Sequence, residues 1–273
     1  GVWETPTKWV QMYTGEASDP AFESDIAKWL GAIKAKVNTL TTMRGKPMKI
    51  IPNFSLHLMN WNDSSILAVG NASDGILSES GFLGGGYRGP GRPYDYIGSA
   101  WVQRIHFMQN LQRHGKAFYC VNAYGDHASS KTMKDTCADD PHACVSKDVR
   151  QWVLGSYLMG KEQAAAIALY QLLAPEGSEL SYGNWSWHPE WNAAVGTALG
   201  PPEESAAGLW TRRYSSAVVL VNPWPDRGSL VAQLPPPAAG TEWCDLYGQT
   251  VAQSHVIMDP VTAITLQQVK HLH

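Results

Sequence analysis

An α/β fold, a TIM-type (β/α) barrel of which about strands four to eight are present, followed by a small antiparallel β-domain, is what the sequence predicts. Three observations carry this. Short apolar runs of strand length alternate with helical stripes through the first part of the chain. From about Leu209 the helical period stops, and strand-like runs follow one another between Pro, Gly and Asp turns. The first region holds five strands and three helices in about 208 residues, where a complete barrel needs about 250.

The elements follow in order. Gly1–Glu4 reads as the end of a strand, and Phe22, Ile26, Trp29, Ile33 and Val37 form one apolar helical stripe. Lys49–Phe54 and Gly75–Glu79 are the next strands, with a short helix in Asp63–Val69 between them. Ile97, Trp101, Ile105, Met108 and Leu111 mark a second main helix, and Gly115 supplies its C-terminal stop. Ala117–Asn122 is another strand, Val149–Leu173 a third helix broken near Gly160, and Glu179–Tyr182 the last strand of this region. Beyond the Gly200-Pro-Pro turn, Val218–Val221, Ser229–Leu234, Thr241–Leu246 and Val261–Leu266 read as strands. The expected division is a partial barrel over 1–208 and a β-sandwich over 209–273. The early strands are expected from a preceding segment or another chain, unless the fold closes in a reduced form. A start at Gly rather than Met suits a processed product or a fragment.

Composition narrows the function. The 273 residues carry 21 Lys+Arg against 24 Asp+Glu, with no basic run to attract nucleic acid. No apolar stretch is long enough to span a membrane. The Gly84–Gly86 run lacks the Lys-Ser/Thr of a phosphate loop, and neither a Gly-x-Ser-x-Gly elbow nor a His-Glu-x-x-His pair occurs. No cofactor is expected. The 12 Trp read mostly as core, yet their broad faces suit sugar rings and lean the partner towards carbohydrate.

Cys137 and Cys144 bracket a polar loop and are expected to form a disulfide; a zinc reading with His142 lacks the paired spacing of structural sites, so no metal is expected. Sequons begin at Asn53, Asn62, Asn71 and Asn184, and Asn62 and Asn71 are the better acceptors. Together these point to the extracellular space or the secretory-pathway lumen.

In parallel barrels chemistry sits at the carboxyl ends of the strands. Those ends offer Glu4, Asn53, Glu79, Asn122, Tyr124, Trp185, Trp187 and Glu190. Two carboxylates among amides and aromatics is what glycosidic cleavage needs: one protonates the leaving oxygen, the other attacks or activates water. Glu79 follows an apolar strand and precedes a Gly-rich, aromatic loop, a setting that lets a ligand approach the backbone. Asp74, at the other end of that strand, reads as structural. Glu4 and Glu79 are the candidate catalytic pair, two strands apart, with Asn53, Asn122, Tyr124, Trp185, Trp187 and Glu190 as substrate contacts.

Several segments resemble glycoside hydrolases with a (β/α)8 barrel and a C-terminal β-domain. Asp74–Phe82 (Asp-Gly-Ile-Leu-Ser-Glu-Ser-Gly-Phe) is similar to their strand six, Gly1–Glu4 to their strand four, where Asp is commoner, and Gly115–Asn122 to their strand seven. His188-Pro-Glu190, Leu199–Pro201 and Arg213 through Pro223 resemble their passage into the β-domain. The resemblance implies the C-terminal part of such a protein, cleaving a poly- or oligosaccharide. The rival reading is a non-catalytic carbohydrate-binding or structural glycoprotein on a degenerate barrel.

Overall fold

The fold is taken from a computed structural model, which describes residues 2–4, 9–11, 20–53, 64–78, 81–83, 96–124, 147–162, 165–173, 181–185 and 188–270. It is mixed α/β, built on two main sheets. In the first, β3 (Gly75–Ser78), β4 (Ala117–Tyr124) and β5 (Ala165–Leu173) run parallel, and β6 (Ser181–Trp185) pairs antiparallel with β5. Asn53 adds a single parallel bridge to Leu77, backed by the Leu77 N–H on the Pro52 carbonyl at 3.0 Å. Of the predicted strand at Lys49–Phe54, the described residues up to Asn53 form a bridge beside β3.

Among the described residues, four helices accompany these strands: α1 (Pro20–Val37), α2 (Ser64–Asn71), α3 (Gly98–Arg113) and α4 (Lys147–Gly160). The α3 stripe behaves as its spacing predicts, with Trp101, Ile105 and Met108 fully buried. It ends as expected at Gly115, whose φ of 73° lets its N–H reach the Gln112 carbonyl while the Lys116 N–H reaches Leu111. On α1 the stripe does not seal: Leu30 is buried, but Trp29 is 60% exposed.

Three expectations are corrected. No barrel closes among the described residues, because the parallel run ends at β5. Residues 174–180 are fewer than the dozen or so that a parallel crossover requires, so β6 returns antiparallel. The opening strand does not join this sheet: β1 (Val2–Glu4) pairs antiparallel with β2 (Trp9–Gln11) as a separate hairpin, Glu4 opposite Trp9. The helix expected over Val149–Leu173 stops at Gly160, and its second half is β5. Ala165–Leu173 is apolar almost throughout, a pattern that buried strands and buried helices share.

The second sheet is antiparallel, in the order β11 (Thr241–Asp245), β13 (Thr262–Lys270), β9 (Ala217–Asn222), β8 (Trp210–Arg213), β7 (Glu203–Glu204). The ribbon of β10 (Leu230–Gln233) and β12 (His255–Met258) covers one of its faces, where Val218, Leu220, Leu230, Trp243 and Met258 form a core. The other face meets α3 and α4, so every residue of β9 is buried. Trp101 lies at this junction, 5.5 Å from Trp210 and 6.3 Å from Trp152 between ring centroids, with its Nε1–H donated to Ser156. These tryptophans are core, as composition suggested.

At the amino end of β3, Asp74 accepts from the Ile50 N–H at 3.0 Å and pairs with Lys34 and Lys49 at 3.2 and 3.4 Å. Burial alone would raise its pKa; the Ile50 hydrogen bond and the two lysines outweigh burial and hold it below the ordinary carboxylate value. Asp74→Asn is therefore expected to cost about 1–3 kcal/mol at pH 7 in urea unfolding. A depressed folded pKa confers stability above the unfolded pKa of about 3.9, and that stability is lost as pH falls through the folded value. The mutant and parent curves should accordingly converge in strong acid.

Candidate functional site

The site is built on the carboxyl ends of β3 and β4. Their register pairs Ile76 with Phe118 and Ser78 with Cys120. Alternation sends these four side chains to the helical layer, where all are fully buried, and Leu77, Tyr119 and Val121 to the opposite face. On that face Tyr119 is 38% exposed.

Beyond β3, the turn at Gly81–Leu83 is locked to β4. The Phe82 N–H donates to Asn122 Oδ1 at 2.6 Å, and the Phe82 carbonyl accepts from Trp152 Nε1 at 3.2 Å. Gly81 has φ 43°, and a Cβ there would lie 2.1 Å from Asn122 Oδ1 and 2.7 Å from the Val121 carbonyl. Only glycine fits. Asn122, expected to contact substrate, is completely buried and holds this wall of the site.

Beneath the same strand end lies a residue the sequence reading missed. Arg104 of α3 is fully buried, donates through Nη2 to Ser78 Oγ, and stacks 3.8 Å from the Tyr96 ring centroid. Burial pushes its pKa below the usual guanidinium value, while Tyr96 and Cys120 pull the other way. A signal existed: Arg104 falls within the stripe Trp101, Ile105, Met108, and a charge on a buried face marks a polar network.

Cys120 sits beside this cation. Burial pushes its thiol up to about 12, against the pull of Arg104 and of the Asn122 hydrogen bond, so it is an inert thiol. Cys120 and Cys244 are both free and buried. Iodoacetamide at pH 8 should leave Cys120 unmodified in the native protein and label it in urea; peptide mapping that finds rapid native labelling would contradict this burial.

The remaining candidates distribute as follows. Asn53 is exposed and bridges Leu77 near the end of β3. Tyr124 closes β4 opposite Gln171, and Trp185 closes β6 opposite Tyr170, so their backbones lie towards the same end of the sheet. Asn71 is exposed at the end of α2. Glu4 belongs to the separate hairpin. Glu79, Trp187, Asn62, Cys137, His142 and Cys144 fall outside the described residues. Glu190 is held by partners outside the parallel strands. It is buried on a 3-10 turn (Pro189–Asn192), pairs with Arg150 Nε at 2.5 Å and accepts from the Tyr247 hydroxyl at 3.2 Å. Arg150 and Tyr247 are further residues that sequence reasoning missed, because their partners lie far away in the chain.

Among the described residues no group of three His, Cys, Asp or Glu is placed to hold a metal ion, and no helix is long and apolar enough to cross a membrane.

No family model matches the chain, and no curated protein does. Three solved structures to which it is similar are glycoside hydrolases. It is similar to a family 39 glycoside hydrolase from the gut symbiont Bacteroides cellulosilyticus WH2, at 12% identity and a TM-score of 0.45 over 94% of this chain and 57% of that one. An Anoxybacillus alpha-amylase, from a new glycosyl hydrolase subclass, is similar at 12% identity and a TM-score of 0.36, over 93% and 57% of the two chains. A GH30 endoxylanase from Clostridium papyrosolvens C71 follows at 9% identity and 0.32, over 91% and 61%. The chain therefore spans 57–61% of the length of these proteins. Likeness at this level assigns no reaction and no residue role.

Proposed function

We propose that the protein is a glycoside hydrolase acting on a poly- or oligosaccharide, with Glu79 as its leading carboxylate and Glu4 as the partner. The observation that carries this reading is the anchoring on both sides of position 79. Ser78 is held by Arg104, and the turn at Gly81–Leu83 is held by Asn122 and Trp152, all at the carboxyl end of parallel strands. Rigid support beneath a strand end is what a catalytic carboxylate requires. In this reading Asn53, Tyr124, Trp185 and Trp187 contact the sugar, the region 1–208 carries the site, and 209–273 braces it. The protein works outside the cell or in the secretory lumen, with glycans at Asn62 and Asn71 and a Cys137–Cys144 disulfide; the exposure of Asn71 supports an acceptor role.

A second reading, a non-catalytic carbohydrate-binding protein, is favoured by one observation: Glu4 sits in a hairpin outside the sheet that carries β3. Release of reducing ends from a panel of neutral polysaccharides separates the two. The hydrolase reading expects release that Glu79→Gln and Glu4→Gln each abolish. Release undiminished in Glu4→Gln would remove Glu4 from the pair, and binding without release by the parent would favour the second reading.

A further inference from the structure

A separate cavity of about 540 Å³ opens between the helical layer and the antiparallel sheet. Its lining comes from four places: Arg150 at the start of α4, Glu190 and Asn192 on the 3-10 turn, Leu246 and Tyr247 after β11, and Gln267 on β13. None lies at the carboxyl ends of β3 and β4. Its volume falls within the range of about 300–1,000 Å³ typical of small-molecule sites.

We propose that this cavity is a second binding site, for one or two rings of a neutral saccharide. The charge inside it decides the class. Arg150 and Glu190 form an ion pair at 2.5 Å, their side chains 11% and 4% exposed, so the pair is internally neutralised. An anionic ligand would meet the Glu190 carboxylate and a cationic one the Arg150 guanidinium, each disturbing a pair already withdrawn from water. Burial pushes the Tyr247 phenol up to about 12, so it stays protonated and its O–H donates to Glu190. Lys147, 4.5 Å from the Tyr247 ring centroid, covers that ring from an exposed position. The other polar lining is amide, at Asn192 and Gln267, and an amide offers both donors and an acceptor. Hydroxyl groups of a sugar match that mixture, since each both donates and accepts. Leu246 supplies an apolar wall for the C–H face of a ring. The lining includes both turn and sheet, so an occupant would touch both.

The proposal does not rest on Glu79 chemistry, and its test keeps the two apart. Calorimetric titration of the intact protein would use glucose, xylose, cellobiose and maltose, with glucuronate and glucosamine as charged probes. At least one neutral sugar is expected to bind. Gln267→Ala and Asn192→Ala should each weaken it tenfold or more without moving the thermal unfolding midpoint. Both charged probes should bind more weakly, and Glu79→Gln should bind the neutral sugar as the parent does. The proposal is overturned if no neutral sugar binds, if a charged probe binds tightest, or if neither amide substitution matters. Binding lost in Glu79→Gln yet retained in Gln267→Ala would also overturn it, by placing the sugar at the strand ends. Absence of hydrolysis alongside the expected binding pattern would defeat the hydrolase reading and leave this site standing.

Discussion

Glu79→Gln is expected to reduce polysaccharide hydrolysis by about 10²–10⁴-fold while leaving the unfolding midpoint where it was. The amide keeps the size of the carboxyl but can neither ionise nor exchange a proton at neutral pH, so general acid, general base and nucleophile are all removed at once. Stability is expected not to change, because the anchors described on either side run between other groups: Ser78 is bound by Arg104, and Phe82 by Asn122 and Trp152. Initial rates of reducing-end release, with circular dichroism melts of the same samples, check both halves. A full rate in the mutant would take Glu79 out of the mechanism, and a collapsed melt would make it a structural residue.

Arg212→Met should destabilise the protein by about 3–5 kcal/mol, the usual cost of emptying one side of a buried charged network. Arg212 stands on β8 and is 1% exposed. Its Nη1 donates to the carbonyls of Leu158 and Met159 at 2.9 and 2.8 Å and of Lys161 at 2.5 Å. Its Nε donates to Gly200 at 3.2 Å, and Nη2 lies 3.5 Å from Glu162 Oε2. Leu158 and Met159 belong to the last turn of α4, whose carbonyls have no further helical N–H to accept from. A cation there also faces the negative end of the helix dipole. The side chain thus caps α4 from the antiparallel sheet and binds the two sheets' layers together. Methionine fills the space but removes the donor from the Met159 and Lys161 carbonyls, while Leu158 keeps the Tyr214 hydroxyl at 2.6 Å. Arg212→Lys, with a single ammonium in place of a fork, should recover only part of the loss. Urea unfolding reads both, and a loss below about 0.5 kcal/mol for Arg212→Met would contradict the capping role.

The parts of the fold that could be read from sequence were those set by local chemistry. The α3 stripe, the Gly115 stop, the strand at Gly75 and the antiparallel run after Leu209 all depend on neighbours in the chain. What escaped depends on partners far away. The run Ala165–Leu173 reads as helix by itself, and its pairing with β4 makes it a strand. β8 was hidden because Trp-Thr-Arg-Arg shows a charge where the core needs an apolar group; Arg212 is buried only because the end of α4 accepts it. The direction of β6 was lost with β5: a helix read through Leu173 makes the next strand parallel, whereas β5 leaves only residues 174–180 to connect the two strands.

The candidate site divides the same way. Strand ends, and Asn53 beside β3, were found from position in the chain. Asn122 was found as an amide at a strand end, but its burial against Phe82 gives it a structural duty. Glu190 was read as a strand-end substrate contact, and in the fold Arg150 and Tyr247 hold it in the lining of the second cavity.

The central claim, that the carboxyl end of β3 carries a glycosidase centre, is tested most directly by proton NMR of a soluble neutral oligosaccharide incubated with the intact protein. The account predicts growing anomeric signals of newly freed reducing ends, absent in parallel samples of Glu79→Gln. An unchanged spectrum with the parent protein, across cello-, xylo- and malto-oligosaccharides, would contradict it.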